Sequence, residues 1–159
     1  MEINLHDSFM QRAIELAENG MEKGYGGPFG AVVVKDGKIV GEGYNSVIHS
    51  NDPTAHAEIL AIRNACKNLG TFELKDCTIY TSCEPCPMCL GAIYWARLKK
   101  VVYAAKKEDA AQISFDDDNF YGEMAKNMED RQIDFEELMR EKALPLFSKW
   151  NQKPDKTAY

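Results

Sequence analysis

The strongest constraint on the fold of this chain is the alternation of strand-like and helix-like segments that runs through residue 105. Two β-rich runs, at residues 29–35 and 38–44, flank Asp36 and Gly37, and an Asp-Gly pair between such runs predicts an antiparallel hairpin. The alternating helices and strands that follow predict parallel strands joined by right-handed helical crossovers. We therefore predict an α/β fold built as a three-layer α/β/α sandwich.

The helical segments are recognised by apolar side chains at three- and four-residue spacing. Residues 7–24 show this spacing between Asp7, a candidate N-cap, and Gly24 at the end. Residues 55–69 show it as well, and Gly70 stands where a C-terminal cap glycine belongs. Two further strands are predicted up to residue 105, at residues 77–81 and 100–105. Between them, residues 87–97 form a predicted helix that begins with a proline.

The structural signals weaken beyond residue 105. There the sequence predicts three helices, at residues 107–112, 118–126 and 144–150, and one further strand around Ile133. The further strand would complete a central mixed five-stranded sheet. Because no repeat and no Ser/Gly linker interrupts the chain, we expect residues 1–159 to form one domain, in which residues 151–159 are a tail without a core-forming pattern.

Charge and hydropathy exclude several classes of protein. The chain has 19 Lys and Arg residues against 25 Asp and Glu residues, a net charge of −6. That sign disfavours nucleic acid as a partner, since nucleic-acid binding depends largely on neutralising phosphates. No apolar run approaches the ~18 residues of a membrane helix, and the first residues lack the basic and apolar regions of a secretory signal. We therefore predict no membrane partner and a cytoplasmic location.

The five cysteines indicate a metal site. Their number is odd, and Cys83, Cys86 and Cys89 fall within seven residues. In a chain expected in a reducing compartment, this clustering favours metal binding over disulfides. Cys66 and Cys77 lie on a predicted helix face and a predicted strand, and we interpret both as core residues.

Two short motifs, at residues 54–58 and 82–89, each lie where a strand leads into a helix. If both crossovers are right-handed, the two helix N-termini lie side by side, about 8–10 Å apart. Because a proline occupies the first helical position of the second motif, Cys86 is the predicted N-cap and Cys89 falls in the first turn. Both sulfurs can then reach one point, which His56 approaches from the other helix.

His56, Cys86 and Cys89 therefore predict a zinc site. Two thiolates and one imidazole leave the fourth tetrahedral position to water, as in catalytic zinc centres. Glu58 is the nearest carboxylate and the predicted general acid/base, because at a helix mouth residues two apart can reach the same site. A His-x-Glu motif followed by Pro-Cys-x-x-Cys is the signature of zinc-dependent nucleobase deaminases.

A second interpretation of the cysteines stays open at this point. Cys83 and Cys86 also have the spacing of metal ligands. If Cys83 supplied a fourth protein ligand, the site would be closed, and the chain would be a structural zinc module without enzymatic activity.

Similarity to a known family extends well beyond these motifs. It covers residues 26–31, 51–58, 80–97 and 115–117 and the terminal tyrosine, Tyr159. With these stretches the sequence resembles the cytidine-deaminase-like superfamily and, within it, the small bacterial guanine deaminases. The metal motifs are common to the superfamily, whereas residues 115–117 and Tyr159 are the features that favour the guanine deaminases.

This resemblance implies one Zn²⁺ per subunit and the hydrolysis of guanine to xanthine and ammonia. A zinc-bound hydroxide would attack C2 of the purine while Glu58 shuttles the protons. Asn45, Asp117 and Tyr159 would bind the base, and Phe29 would lie near its ring. The resemblance also implies a homodimer with exchanged C-terminal segments, in which Tyr159 closes the pocket of the partner subunit.

The same zinc site would serve other deaminases. A tRNA adenosine deaminase is one alternative, supported by a cluster of basic residues: Arg97, Lys99, Lys100, Lys106 and Lys107. The net negative charge and the terminal tyrosine argue against tRNA as the substrate. A cytosine deaminase is a further variant of the same chemistry.

Overall fold

The chain divides after residue 117 into two compact units, Met1–Asp117 and Asp118–Tyr159. The structure, a computed structural model, describes residues 4–115 and 117–159. The first unit contains the β-sheet and the residues of both chemical motifs. The second unit is helical.

The sheet of the first unit has four strands in the order β2-β1-β3-β4. Its strands are β1 Gly30–Lys35, β2 Lys38–Tyr44, β3 Cys77–Cys83 and β4 Lys100–Ala105. Strand β1 pairs antiparallel with both β2 and β3, and β3 pairs parallel with β4. The predicted hairpin between β1 and β2 is confirmed: Asp36 and Gly37 both have positive φ, 48° and 72°, as a two-residue hairpin turn with a right-handed twist requires.

Helices cover both faces of this sheet. The helices of the first unit are α1 Leu5–Glu22, α2 Val47–Ser50, α3 Ala57–Leu69, α4 Pro87–Trp95 and α5 Lys107–Gln112. Helix α1 packs on one face, where Phe9 and Leu16 join Val32 and Tyr80 in an apolar cluster. Helices α3 and α4 share the larger cluster on the other face. The first unit therefore has the predicted α/β/α layers, and because α3 and α4 share a face, both motifs lie on one side of the sheet.

The second unit contains α6 Asp118–Ala125, a 3₁₀ turn at Met128–Asp130 and α7 Arg140–Gln152. Many large apolar side chains of this unit are exposed: Phe120, Met124, Ile133, Phe135, Leu138, Leu146 and Phe147. Among the residues that the structure describes, no helix is both long and apolar enough to cross a membrane.

Two predictions about individual elements are wrong. Ile133 lies in no strand, so the sheet formed by the described residues has four strands and not five. The alternation of apolar and polar residues around Ile133 is short and is flanked by charged residues. The Ile133 side chain is 73% exposed, so it is not packed against a sheet as a strand residue would be. Helix α1 is capped by Asn4 and not by Asp7, because the Asn4 side chain accepts a hydrogen bond from the backbone N–H of His6 at 3.2 Å.

Glycines in β2 allow α3 to lie unusually close to the sheet. A Cβ atom on Gly43 would come within 2.4 Å of the carbonyl oxygen of Ala57, and one on Gly41 within 2.4 Å of that of Ala61. Since both obstacles are backbone atoms of α3, neither could give way cheaply. The two glycines therefore fix the position of α3, whose first turn carries Glu58.

We expect Gly43→Ala to lower the free energy of unfolding by about 2 kcal/mol or more, because α3 must move away from the sheet to admit the methyl group. Gly91→Ala is the matched control: Gly91 lies within α4, and a Cβ atom there meets nothing within 4 Å. Removing a helical glycine there should raise the free energy of unfolding by up to about 1 kcal/mol. Urea denaturation of both variants measures the two effects, and equal stabilities would contradict the close-packing argument.

Candidate metal centre

The histidine of the first motif is held at the start of α3. His56 is the N-cap residue, with extended backbone angles of φ −72° and ψ 155°. The loop before it is fixed by Asp52, whose side chain accepts hydrogen bonds from the backbone N–H and the hydroxyl of Thr54, at 2.8 and 2.7 Å. The imidazole is therefore presented at the mouth of the helix, as the sequence predicts.

The two cysteines of the second motif lie in the predicted places at the start of α4. Cys86 is the N-cap and Pro87 occupies the first turn, while Cys89 is fully buried within that turn. The Sγ atoms of Cys86 and Cys89 lie 3.6 and 3.5 Å from Nδ1 of His56. The ligand atoms of all three residues lie within 4.8 Å of one another.

These separations suit one tetrahedral zinc ion. With Zn–S bonds of about 2.3 Å and Zn–N bonds of about 2.0–2.1 Å, a tetrahedral angle places sulfur and nitrogen about 3.6 Å apart. The two measured sulfur-to-nitrogen distances match that value. The donor set therefore fits zinc in both chemistry and spacing.

Within the trio, the electrostatics favour one thiolate: the hydrogen bond to Cys86 and burial raise the pKa of Cys89, whereas Cys86 loses its proton readily. The pKa of Cys86 is lowered to about 4, first by a hydrogen bond from Cys89 and then by one from His56. The hydrogen bond to Cys86 is likewise the largest cause of the raised pKa of His56. Cys86 is thus poised as a thiolate, the form of cysteine that binds metals.

Glu58 lies beside the three donors on the first turn of α3. Its Oε2 atom is 3.4 Å from Sγ of Cys89, and the residue is only 7% exposed. Burial raises the pKa of the Glu58 carboxyl above its ordinary value. A carboxyl that is sheltered from water and holds its proton more tightly than usual is a candidate general acid/base.

Cys83 is oriented away from this cluster. It ends β3, and its thiol donates to the carbonyl oxygen of Lys106 at 3.7 Å. Burial raises the pKa of the Cys83 thiol to about 11, which keeps it protonated at neutral pH. Among the described residues, the group of potential metal ligands comprises His56, Cys86 and Cys89 without Cys83. This arrangement disfavours the closed four-ligand site.

The remaining two cysteines lie in the apolar core, as the sequence predicts. Cys77 is buried in the cluster between the sheet and α3, and Cys66 packs against that cluster. All five cysteines are free thiols.

Three of the four predicted purine contacts lie in the first unit. Asn45 is buried, and its Oδ1 atom accepts a hydrogen bond from the backbone N–H of Val47 at 3.2 Å. Its backbone N–H donates to the carbonyl oxygen of Phe29 at 3.0 Å, which places these two predicted residues side by side. Asp117, which is partly buried, is one of the weaker causes of the raised pKa of His56, after the hydrogen bond to Cys86.

Tyr159, the fourth predicted contact, lies in the second unit. Its side chain is 68% exposed. Its role in binding a purine remains a prediction that follows from the family resemblance.

Comparison with known proteins identifies the family. Residues 3–105 match the model of the cytidine and deoxycytidylate deaminase zinc-binding region. The chain belongs to the cytidine and deoxycytidylate deaminase family. This stretch of the deaminase includes the three potential ligands, Glu58 and all four strands of the sheet.

The deaminase is also similar to individual proteins over most of its length. It is 55% identical over 154 residues to guanine deaminase of Bacillus subtilis, which covers 97% of this chain and 99% of that protein. The crystal structure of the Bacillus subtilis protein matches with a TM-score of 0.95 over 99% of both chains.

Other similar deaminases match a smaller part of the chain. The structure of guanine deaminase from Nitrosomonas europaea gives a TM-score of 0.66 at 35% identity, over 70% of this chain and 64% of that one. The tRNA-specific adenosine deaminase of Aquifex aeolicus is 44% identical over 97 residues, which is 61% of this chain and 64% of that protein.

The structure shows close packing contacts of Gly26, Gly27 and Phe115 that the sequence alone does not reveal. A Cβ atom on Gly26 would lie 2.0 Å from Oδ1 of Asn45, and one on Gly27 would lie 2.7 Å from the ring of Phe115. Phe115 in turn packs edge-on against Phe29, with ring centroids 4.9 Å apart. The adjacent glycines, Gly26 and Gly27, are the sequence feature that could have indicated these contacts, because glycine permits close approach of a neighbouring group.

Proposed function

We propose that this chain is a zinc-dependent guanine deaminase, which hydrolyses guanine to xanthine and ammonia. The proposal rests on one combined observation. The ligand trio with Glu58 beside it lies in a chain that is 55% identical to a guanine deaminase over 97% of its length.

We propose that His56, Cys86 and Cys89 hold one Zn²⁺ per subunit. The match between their separations and tetrahedral zinc geometry supports this set of ligands. Zinc in such an open site polarises a water molecule and brings its pKa down toward ~7. Three protein ligands leave room for that water, whereas a fourth thiolate would not.

Glu58 moves the protons in this proposal. Its Oε2 atom takes a proton from the attacking water and later delivers a proton to the departing amine. The oxygen of one water molecule bonds to C2, the bond from C2 to the exocyclic nitrogen breaks, and the products are xanthine and ammonia. Burial of Glu58 supports this role, because a buried carboxyl exchanges its proton with the substrate rather than with bulk water.

The base itself would be held by Asn45, Asp117 and Tyr159, with Phe29 against its ring. A purine edge presents both donors and acceptors, which an Asn side chain can satisfy with one amide, while an Asp accepts from ring N–H groups. The burial of Asn45 beside Phe29 supports their roles. The family resemblance is the support for Asp117 and Tyr159.

We also propose that the chain is a single zinc deaminase domain that acts as a homodimer with exchanged C-terminal segments. Residues 151–159 would cover the site of a partner subunit. The exposed apolar side chains of α7, among them Leu146 and Phe147, are consistent with a surface that another subunit buries.

We propose a cytoplasmic location for the chain. The five free thiols suit the cytoplasm, where cysteines stay reduced.

A tRNA adenosine deaminase is the second candidate, favoured by the 44% identity to the Aquifex aeolicus protein. That similarity covers 61% of this chain, against 97% for the guanine deaminase of Bacillus subtilis. The metal centre is shared by both classes of deaminase, so the wider match decides between them. Guanine is therefore the favoured substrate.

An ammonia-release assay tests this choice directly. Purified protein is offered guanine, adenine, cytosine, cytidine and transfer RNA in parallel, with heat-inactivated protein as the blank. We expect ammonia from guanine alone. Release from transfer RNA without release from guanine would replace the proposed function with the second candidate.

A further inference from the structure

Glu84 connects two parts of the first unit that the proposed chemistry treats separately. It lies between the end of β3 and the proline that precedes Cys86. Its backbone N–H donates to the carbonyl oxygen of Ala105, the last residue of β4, at 2.9 Å. Its Oε2 atom accepts a hydrogen bond from the backbone N–H of Lys107, the first residue of α5, at 3.1 Å. Glu84 thus joins the loop that precedes Cys86 to the start of α5.

Helix α5 depends on such anchors. It has six residues, and a helix of that length is unstable without contacts to the rest of the protein. The N–H groups of its first turn have no partner within the helix, so a carboxylate there gains a charge-assisted hydrogen bond. Asp109 closes the first turn from within, since its side chain accepts from the backbone N–H of the N-cap residue Lys106 at 2.8 Å, so Glu84 is the contact that comes from another part of the chain.

The other end of α5 leads into Phe115, which packs on Phe29, and then to Asp117, which is proposed to bind the purine. The backbone N–H of Phe115 donates to the carbonyl oxygen of Ala110 at 3.0 Å, and Ser114 between them has a left-handed φ of 73°. This turn directs Phe115 onto the edge of Phe29, where the ring centroids are 4.9 Å apart. The direction of α5 therefore sets where Phe115 lies, and Asp117 follows two residues later.

We propose that Glu84 is a positioning residue for substrate recognition, which holds α5 and hence Phe115 and Asp117 in register with the metal centre. This inference rests on the proposed function, because it places the purine between the metal centre and the Phe29–Phe115 ring pair. In the described part of the chain, the hydrogen bonds of Glu84 run to Ala105 and Lys107, so its effect is carried by the Lys107 N–H bond and by the short helix that follows it.

Three substitutions test the proposed hydrogen bond from both sides. Glu84→Ala removes the acceptor, and Glu84→Gln keeps an oxygen in its place. Lys107→Pro removes the donor while keeping Glu84: proline is favoured at the first position of a helix, and Lys106 before it already has the extended backbone that proline requires. Lys107→Ala keeps the N–H and gives the reference for the lost lysine side chain.

We expect Glu84→Ala and Lys107→Pro each to raise the KM for guanine roughly tenfold, as loss of a hydrogen bond to a charged group would, with little change in kcat or zinc content. Glu84→Gln should restore most of the affinity. The double variant should be no worse than either single one, since both remove the same bond. Equal damage from Glu84→Gln and Glu84→Ala, or additive losses in the double variant, would overturn the proposal.

Hydrogen–deuterium exchange of the substrate-free protein gives a readout that needs no activity. We expect backbone amides at residues 108–115 to exchange about tenfold faster in Glu84→Ala and in Lys107→Pro than in the native chain, while amides of α3 stay protected. Unchanged exchange at residues 108–115 would overturn the positioning role. If the native chain released no ammonia from guanine, the proposed function would fail. The exchange experiment would still test whether the hydrogen bond between Glu84 and Lys107 holds α5 in place.

Discussion

Glu58→Gln is expected to lower kcat for guanine by at least ~10²-fold, because it removes the only group proposed to carry protons between water and the departing amine. The glutamine keeps the size of the side chain but cannot take up a proton. Because Glu58 lies beside the ligand trio and not within it, zinc content should stay at the native level. Steady-state assay and metal analysis of the same sample measure both quantities.

The matched control for this substitution is Glu18→Gln, an exposed glutamate on α1. It should leave kcat and zinc content unchanged. Native turnover in Glu58→Gln would remove the proposed mechanism. Loss of zinc together with activity would show instead that Glu58 supports the metal rather than the chemistry.

Cys86→Ala and Cys89→Ala should each weaken zinc binding by more than ~100-fold, since loss of an outer-shell partner alone costs about 10–100-fold. Activity should fall to the background rate in both variants. Cys83→Ala should keep its zinc, because the Cys83 thiol bonds to the carbonyl of Lys106 and lies outside the ligand trio. Zinc content after dialysis against a weak chelator separates these cases.

The Cys83 variant gives the decisive control, because it removes a cysteine from the same short motif. A modest loss of stability is expected from the small cavity it leaves in a buried place. Zinc loss in Cys83→Ala equal to that in Cys86→Ala would favour the closed structural site and contradict the catalytic one.

The parts of the fold that local rules govern were predictable from the sequence. The Asp36–Gly37 turn requires positive φ at both residues, and Gly70 ends α3 with a φ of 66°. These conformations are dictated by one or two residues, without reference to distant parts of the chain. The N-cap position of Cys86 followed in the same way from the proline after it.

The metal centre could be predicted because topology brings the two helix mouths together. His56 and Cys86 are 30 residues apart in sequence, yet each stands at the N-terminus of a helix on the same face of the sheet. The handedness of crossovers is nearly invariant, so residue type and strand-helix order were sufficient. The direction of the Cys83 thiol could not be predicted from the sequence, since it depends on a bond to the Lys106 carbonyl.

Other features depend on packing that no local pattern reveals. Gly26 and Gly27 are needed because Asn45 and Phe115 approach them, and neither approach is visible in the sequence. The hydrogen bond between Glu84 and Lys107 also depends on tertiary packing. It joins a loop and a helix that α4 and β4 separate in the sequence. At Ile133, a short alternation of apolar and charged residues indicated a strand, but the sheet formed by the described residues does not include it.

In the proposed metal centre, two sulfurs and one nitrogen hold one zinc ion and leave one position open to water. X-ray absorption at the zinc edge of the purified native protein measures this coordination. We expect two sulfur neighbours at about 2.3 Å and two lighter neighbours, nitrogen and oxygen, at about 2.0–2.1 Å. Three sulfur neighbours, or a protein preparation that binds no zinc at all, would contradict the account.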